Sequence, residues 1–406
     1  MLYVGIDIAK HKHEAAVIDQ VGNLLCKSFS FQNSADGVTS LLERIKKLNP
    51  ESLPVAIGME ATGHYWIPLY SHLVENGQTV HVMNPVQSDA IRNLYIRQTK
   101  TDTVDAFLIA EVIRFGRFTK TRIAEPDMFA MQKLCRYRMS LVDTISNIKR
   151  KIISVMDQVF PEYASLFSKM FGMASMELLK TCTTPEEILT ISTESLAEII
   201  NNGSKKRYGE KRSLRKAQEI RDAASTSFGV TFAADVVALQ VKQELEQIAL
   251  MEKHVAQLDD QIALLYSQFE CTLHTLPGTG PVLAAIILGE IGDISRFSAP
   301  EKLVAFAGMD PTVRQSGNFT GNQNRMSKRG SPYLRRAVWL AAFGAAFNDP
   351  VFSAFYQKKI AEGKNHNTAI GAVSRKLLYT IFALLKSGEV YVPRGVLRQG
   401  SGVDFS

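Results

Sequence analysis

The sequence predicts an α/β N-terminal domain followed by a mainly helical remainder built around long helices of coiled-coil type. Three observations carry this. Short β-branched runs alternate with helical stretches over roughly the first 120 residues. Past Pro126 the apolar spacing changes to alternating threes and fours, and the closing region reads as helices near 332–347 and 366–387.

Residues 2–9 (LYVGIDIA), 14–19 (EAAVID) and 24–31 (LLCKSFSF), with the pair Gly22-Asn23 between the last two, read as a three-stranded antiparallel meander. A helical stretch follows at 35–48, then a buried-type strand at 54–60, a helix near 65–76, a strand at 79–83, and helical segments at 86–95 and 102–115. Met131, Leu134, Leu141, Ile145, Ile148, Ile152, Val155 and Val159 form a heptad seam in which Arg138 is the polar exception. The spacing returns at Ile248, Met251, Val255, Leu258, Ile262, Leu265 and Phe269, so two long helices are expected to pair with each other or with a second subunit.

Residues 161–235 read as irregular helices. They contain KKRYGEKRSLRK at 205–216, seven Lys or Arg against one Glu, which fits a solvated helix face and nucleic-acid contact equally. The expected division is 1–125, 126–270, 271–392 and a tail, 393–406, and the stretch 388–406 reads as poorly ordered.

Composition narrows the function classes. The chain has 406 residues, 46% of them hydrophobic and 21% charged, as in a globular protein of more than one domain. A net charge of +7 favours a polyanionic partner, nucleic acid first. Cys26, Cys135, Cys182 and Cys271 form no C-x-x-C pair, which argues against a zinc ribbon or a disulfide framework and for a reducing cytosol. The N-terminal run holds an acid and the apolar run 282–288 is short, so no export or membrane insertion is expected. The absence of G-x-x-x-x-G-K-[ST] argues against an ATP-driven motor.

Four acids stand out in the first domain. Asp7 lies inside the first strand between Ile6 and Ile8, and Glu60 ends the fourth, positions where an unpaired charge is unfavourable. Asp102 and Asp105, at i and i+3, share one face of a helix near its N-terminus, where acids are also ordinary dipole partners. Four carboxylates brought together would raise one another's pKa unless a hard divalent cation neutralised them. Mg²⁺ suits an oxygen-only ligand set, and two such ions suit a phosphodiester undergoing displacement.

In the third region Leu276-Pro277-Gly278-Thr279-Gly280-Pro281 reads as a helix-hairpin-helix turn or a plain helix-to-helix turn; in the first case Gly278 and Gly280 would admit a phosphate. From Pro311 to Asn348 there is no acid, while Arg314, Arg325, Lys328, Arg329, Arg335 and Arg336 all fall there, which suits a phosphate backbone. Ser316 sits within RQSGNFTGNQNRMSKRG, beside cations but no evident base, so read alone it is a loop hydroxyl before it is a nucleophile. Ser327 and Ser331 are weaker candidates, and Ser331 looks like a helix N-cap before Pro332.

The strand with Asp7 in GIDIAK, Glu60 in MEATGHYW, and the pair in KTDTVDA together resemble the DEDD transposases, insertion-sequence recombinases with a ribonuclease-H, RuvC-like first domain. The resemblance extends to the third region. It implies that Asp7, Glu60, Asp102 and Asp105 form a Mg²⁺-binding tetrad, and that Ser316, in RQSG, is a nucleophile forming a covalent phosphoserine link with DNA. It further implies DNA as substrate, a structured guide RNA as used by some members, and composite sites in a homo-oligomer joined through the long helices. A cytoplasmic, nucleoid-associated location follows. The competing readings are a DNA invertase or junction nuclease using the acids alone, and a non-catalytic DNA-binding regulator.

Overall fold

A computed structural model describes residues 1–61, 63–83, 101–116, 126–311, 315–316, 319–320 and 325–393. The helix expected at 86–95 and the tail from 394 onward lie outside the described residues. Contacts divide the chain into two compact units, Met1–Ile123 and Ala124–Ser406.

The first unit holds one five-stranded mixed sheet in the order β3-β2-β1-β4-β5. β1 (Leu2–Asp7) pairs antiparallel with β2 (Lys12–Ile18), which pairs antiparallel with β3 (Phe29–Gln32). On its other side β1 runs parallel to β4 (Val55–Glu60), and β4 parallel to β5 (Thr79–Met83). The meander is therefore present, but its third strand starts later than the apolar run 24–31 suggested. Leu24 makes only an isolated bridge to Ile18. The link after β2 is wider than a Gly22-Asn23 turn because the Asp19 carboxylate accepts the N–H groups of Val21, Gly22 and Asn23, each at 2.8 Å.

Strand alternation separates two faces. Leu2, Val4 and Ile6 of β1, with Ile57 and Met59 of β4, join the core under α1 (Ala35–Leu48) and α2 (Trp66–Glu75). The opposite face, through Ala56 and Met83, packs on Ile109, Val112 and Ile113 of α3 (Asp102–Phe115). Gly5 and Gly58 permit this docking. A methyl group on Gly5 would stand 2.0 Å from the Ala106 carbonyl oxygen, and one on Gly58 would stand 2.0 Å from Ile113 Cδ1.

The second unit is helical. α4 (Pro126–Val159) and α10 (Ala234–Tyr266) are its long elements, and α10 starts well before the heptad seam that announced it. They lie antiparallel within one chain: Arg138 reaches Asp259, and Lys149 reaches Glu252 at 3.1 Å. The polar exception in the seam thus has an ionic partner, with Arg138 Nη2 at 3.0 Å from Asp259 Oδ2.

The ends of the long pair serve different cores. Ile145–Val159 and Val241–Ile248 pack with α5 (Tyr163–Leu166), α6 (Met173–Thr181), α7 (Pro185–Thr190), α8 (Thr193–Gly203) and α9 (Glu210–Ser225). Met131–Met139 and Leu258–Tyr266 pack instead with α11 (Pro281–Ile291), α12 (Pro300–Phe306), α13 (Pro332–Asn348), α14 (Pro350–Ala361) and α15 (His366–Ser387). By length and composition α15 passes for a membrane span, as do α13 and α14 only if joined across a 95° bend. Ile370, Val373, Leu377, Leu378 and Ile381 are all fully buried, which makes α15 the central core helix of this unit.

Candidate active site

In the first unit the predicted acids share one face of the sheet. Tyr3, Gly5 and Asp7 alternate onto the α3 side of β1, as Ala56, Gly58 and Glu60 do on β4. The parallel register pairs Ile6 with Met59, so Asp7 and Glu60 fall side by side where the two strands end. α3 enters from Thr101, whose hydroxyl accepts the Val104 N–H at 3.4 Å, and the caps and dipole of that first turn favour the negative charges of Asp102 and Asp105. Since Ala106 and Ala110 lie over Gly5, the turn carrying Asp102 and Asp105 lies toward Asp7.

The electrostatics agree with this placement. The Asp7 carboxyl is pushed up to about 6, first by burial, then by the charges of Asp105, Asp102 and Glu60, against the lowering effect of the Ile8 N–H. The donor set is carboxylate oxygen throughout, the chemistry that a hard divalent cation takes. Among the described residues no three His, Cys, Asp or Glu side chains stand close enough to grip an ion as they are. Four like charges repel one another, and a cation between them would relieve the strain seen at Asp7. The residues therefore fit the group in chemistry and in sheet position. The sequence reading passed over Glu14, which the antiparallel register sets opposite Asp7 on the same face; the signal available was an acid in the second strand.

In the second unit Ser316 lies on a short hairpin. β6 (Gln315–Ser316) pairs antiparallel with β7 (Phe319–Thr320), with Ser316 opposite Phe319. Arg314 lies outside the described residues. The two ends of this excursion are fastened together. Pro311 bridges to Met326, and the Ser327 N–H donates to the Asp310 carbonyl at 2.9 Å while its hydroxyl donates to the Asp310 carboxylate. Lys328 N–H then donates to the Gly308 carbonyl at 3.0 Å, and Ser331 N–H to the Phe306 carbonyl at 2.8 Å. Gly330 is required there, because a methyl group on it would meet the Phe306 oxygen at 1.9 Å.

Glu290, which sequence reasoning also missed, anchors the end of that clamp. Its buried carboxylate accepts from Arg136 Nε at 2.6 Å and from the Ser331 hydroxyl at 2.7 Å, while Ser331 Oγ caps α13 by accepting the Leu334 N–H at 3.1 Å. Ser331 is thus the N-cap its sequence suggested, and Ser327 is occupied with Asp310. A glutamate within an apolar helix run was the available signal for Glu290.

The predicted phosphate contacts divide. Arg325, Lys328 and Arg329 are exposed. Arg335 is half-buried and donates to the Ala307 carbonyl at 3.1 Å, and Arg336 reaches Asp143 at 2.6 Å, so these two have structural partners. Gly278 takes φ +76°, with its added methyl 2.7 Å from Gly344 Cα, so close packing on α13 explains it. Gly280 is the residue before α11, and among the described residues no atom beyond its chain neighbours lies within 4 Å of the position its Cβ would occupy. The segment ahead of this turn is a single 3₁₀ turn, Leu273–Thr275, rather than an α-helix.

Comparison with known proteins bears on both units. A transposase family model for DEDD proteins matches residues 4–161, and the model of the transposase IS116/IS110/IS902 family matches residues 271–357. A 44.8 kDa protein of insertion element IS116 from Streptomyces clavuligerus is 23% identical, with 97% of this chain and 96% of that protein covered. A 42 kDa protein of insertion element IS900 from Mycobacterium paratuberculosis is 25% identical, with 97% of each chain covered. A pilin gene-inverting protein from Moraxella bovis is 23% identical, with 97% of this chain and 98% of that protein covered. The fold, the acidic sheet edge and these matches define a DNA transposase or recombinase, an enzyme acting on DNA. Within that class, the chain belongs to the DEDD transposases of the IS116/IS110/IS902 family.

Proposed function

We propose that this transposase exchanges DNA strands with two sets of groups: the acids Asp7, Glu60, Asp102 and Asp105 holding Mg²⁺, and Ser316 as nucleophile. The observation that carries the acid half of the reading is the parallel register that ends β1 and β4 with Asp7 and Glu60 side by side, where the Asp7 carboxyl is pushed up to about 6 by burial first and then by the other three acids; the role of Ser316 rests on the resemblance. The sheet order, with an antiparallel meander joined to parallel strands, supports a ribonuclease-H, RuvC-like domain.

The acids would orient the ion and leave it open to the substrate; bound there, Mg²⁺ supplies charge neutralisation at the attacking and leaving oxygens. The Ser316 hydroxyl oxygen bonds to the scissile phosphorus, the bond from phosphorus to the 3′ oxygen breaks, and the serine proton ends on that leaving oxygen. Arg325, Lys328 and Arg329, exposed beside the clamped base of the hairpin, would hold the phosphate's charge, with Arg314 completing the set. Gly280 would admit a second phosphate at the start of α11. Arg335, Arg336 and Gly278 would contribute by holding the shape of this surface. The enzyme would work in the cytoplasm, where the DNA is.

The resemblance alone supports a guide RNA and a composite site in a homo-oligomer. The long helices satisfy each other within the chain, so their seam adds no support for joining subunits. Ser316→Ala and Asp7→Asn/Glu60→Gln should each abolish recombination of a supercoiled plasmid carrying the element ends, with phosphoserine-linked DNA lost in the first. Mixing the two variant proteins should restore activity where two chains share a site. Persistence of recombination in Ser316→Ala would replace this reading with a nuclease or invertase using the acids alone, a reading favoured by the pilin gene-inverting relative. RNA copurifying with the protein should include one discrete species transcribed from DNA beside the gene; random fragments alone would remove the guide.

A further inference from the structure

The basic segment between the long helices lies outside both family models, which match 4–161 and 271–357. It is a built surface rather than a loosely charged helix. α8 ends at Gly203, and the next residues close it with Lys205 N–H donating to the Asn202 carbonyl at 2.9 Å and Lys206 N–H to the Asn201 carbonyl at 2.8 Å. Lys205 and Lys206 both take the left-handed conformation, φ +54° and +61°, which favours glycine at a helix end. The buried Ser204 hydroxyl accepts the Tyr208 N–H at 3.2 Å, and the Asn201 side chain accepts the Gly209 N–H at 3.2 Å, which fixes the loop against α9.

This loop and the first turns of α9 present Lys205, Lys206, Arg207, Lys211, Arg212 and Arg215, all exposed. None of the six makes an ion pair among the described residues. The nearby acids are otherwise engaged or single: Glu219 pairs with Lys216 at 3.0 Å, Asp222 accepts from Gln218 at 2.8 Å, and Glu210 alone is exposed within the run. Arg212 lies 5.8 Å from the Tyr208 ring centroid, an aromatic support for a guanidinium. A lysine at a helix C-terminus is ordinary dipole chemistry. That explains one charge, but not two lysines in strained conformations followed by four more unpaired cations.

We propose that the surface formed by Lys205, Lys206, Arg207, Lys211, Arg212 and Arg215 binds duplex DNA along its phosphate backbone. Lys and Arg without an Asn or Gln among them suit phosphates rather than base edges, so the binding is independent of sequence and holds DNA away from the chemistry. DNA is the occupant because the enzyme acts on DNA, and the inference rests on that reading alone. It does not need Ser316 or the acids.

The test is equilibrium binding of the full-length protein to a short mixed-sequence DNA duplex, without divalent metal and over a range of salt. In Arg207→Gln/Lys211→Gln/Arg212→Gln/Arg215→Gln, affinity should fall about tenfold, and the salt slope should drop by about 0.9 for each phosphate no longer neutralised. The thermal midpoint should stay within a few degrees, since all four side chains are exposed. In Lys205→Gly/Lys206→Gly, affinity should fall while the midpoint holds or rises, because glycine relieves the left-handed backbone. Unchanged slope and affinity in both variants would mean a solvated face and overturn the proposal. Loss of binding to a hairpin RNA with DNA binding intact would overturn it in favour of RNA. Because no strand cleavage is read, failure here leaves the serine and acid mechanism standing, and failure of that mechanism leaves this result intact.

Discussion

Asp7 shows how one residue carries two opposing requirements. A carboxyl raised from 3.8 to about 6 holds its proton more tightly in the folded chain than in the unfolded one. Its effect is absent below about pH 4 and destabilising above about pH 6, so this group makes stability fall as pH rises through that window. Asp7→Asn should therefore raise the stability of the metal-free protein at pH 7 by about 1 kcal/mol, a figure reduced for the partial exposure of the site, and by almost nothing at pH 4. Denaturant melts at the two pH values check it, and an equal gain at both would refute the electrostatic origin. Asp7 and Glu60 were legible as candidates because a charged residue breaks an apolar strand. Glu14 was not, because only the antiparallel register sets it opposite Asp7.

At the scale of elements, heptad spacing announced both long helices, but it could not choose between an internal and an external partner. The choice shows in Arg138, whose guanidinium is matched to Asp259 from the antiparallel helix of the same chain. Both side chains are partly sheltered, at 24% and 32% exposure. Arg138→Leu or Asp259→Leu alone should cost about 1–2 kcal/mol, whereas the double change should recover most of the loss. Urea unfolding of the four proteins measures this coupling, and simple additivity would show that the pair contributes nothing. The third strand and the early start of α10 were less legible. The carboxylate of Asp19 widens the link between β2 and β3, and the seam of α10 runs back through Leu245, Val241 and Ala238 at the same spacing, where the exposed apolar residues Val236 and Leu239 off the seam blur the pattern.

For the whole molecule, a mixed α/β unit followed by helices followed from alternating strand and helix periods, and DNA as partner from the charge and the transposase family. The acid set is expected to make the chain's stability depend on divalent ions. Adding Mg²⁺ should raise the melting temperature of the wild-type protein, by about 2.7 kcal/mol of stabilisation at a hundredfold excess over Kd. It should leave Asp7→Asn/Glu60→Gln unmoved, and calorimetry with and without chelator reads both. Residue order alone was enough to specify the elements and the unusual residues within them, because strand and helix periods, caps and misplaced charges are local properties of the chain. Which carboxylates share a face, which helix fills a seam, and that Asp310 and Glu290 fasten the base of the Ser316 hairpin are matters of register and packing between residues far apart in the chain, and those appear only once it has folded.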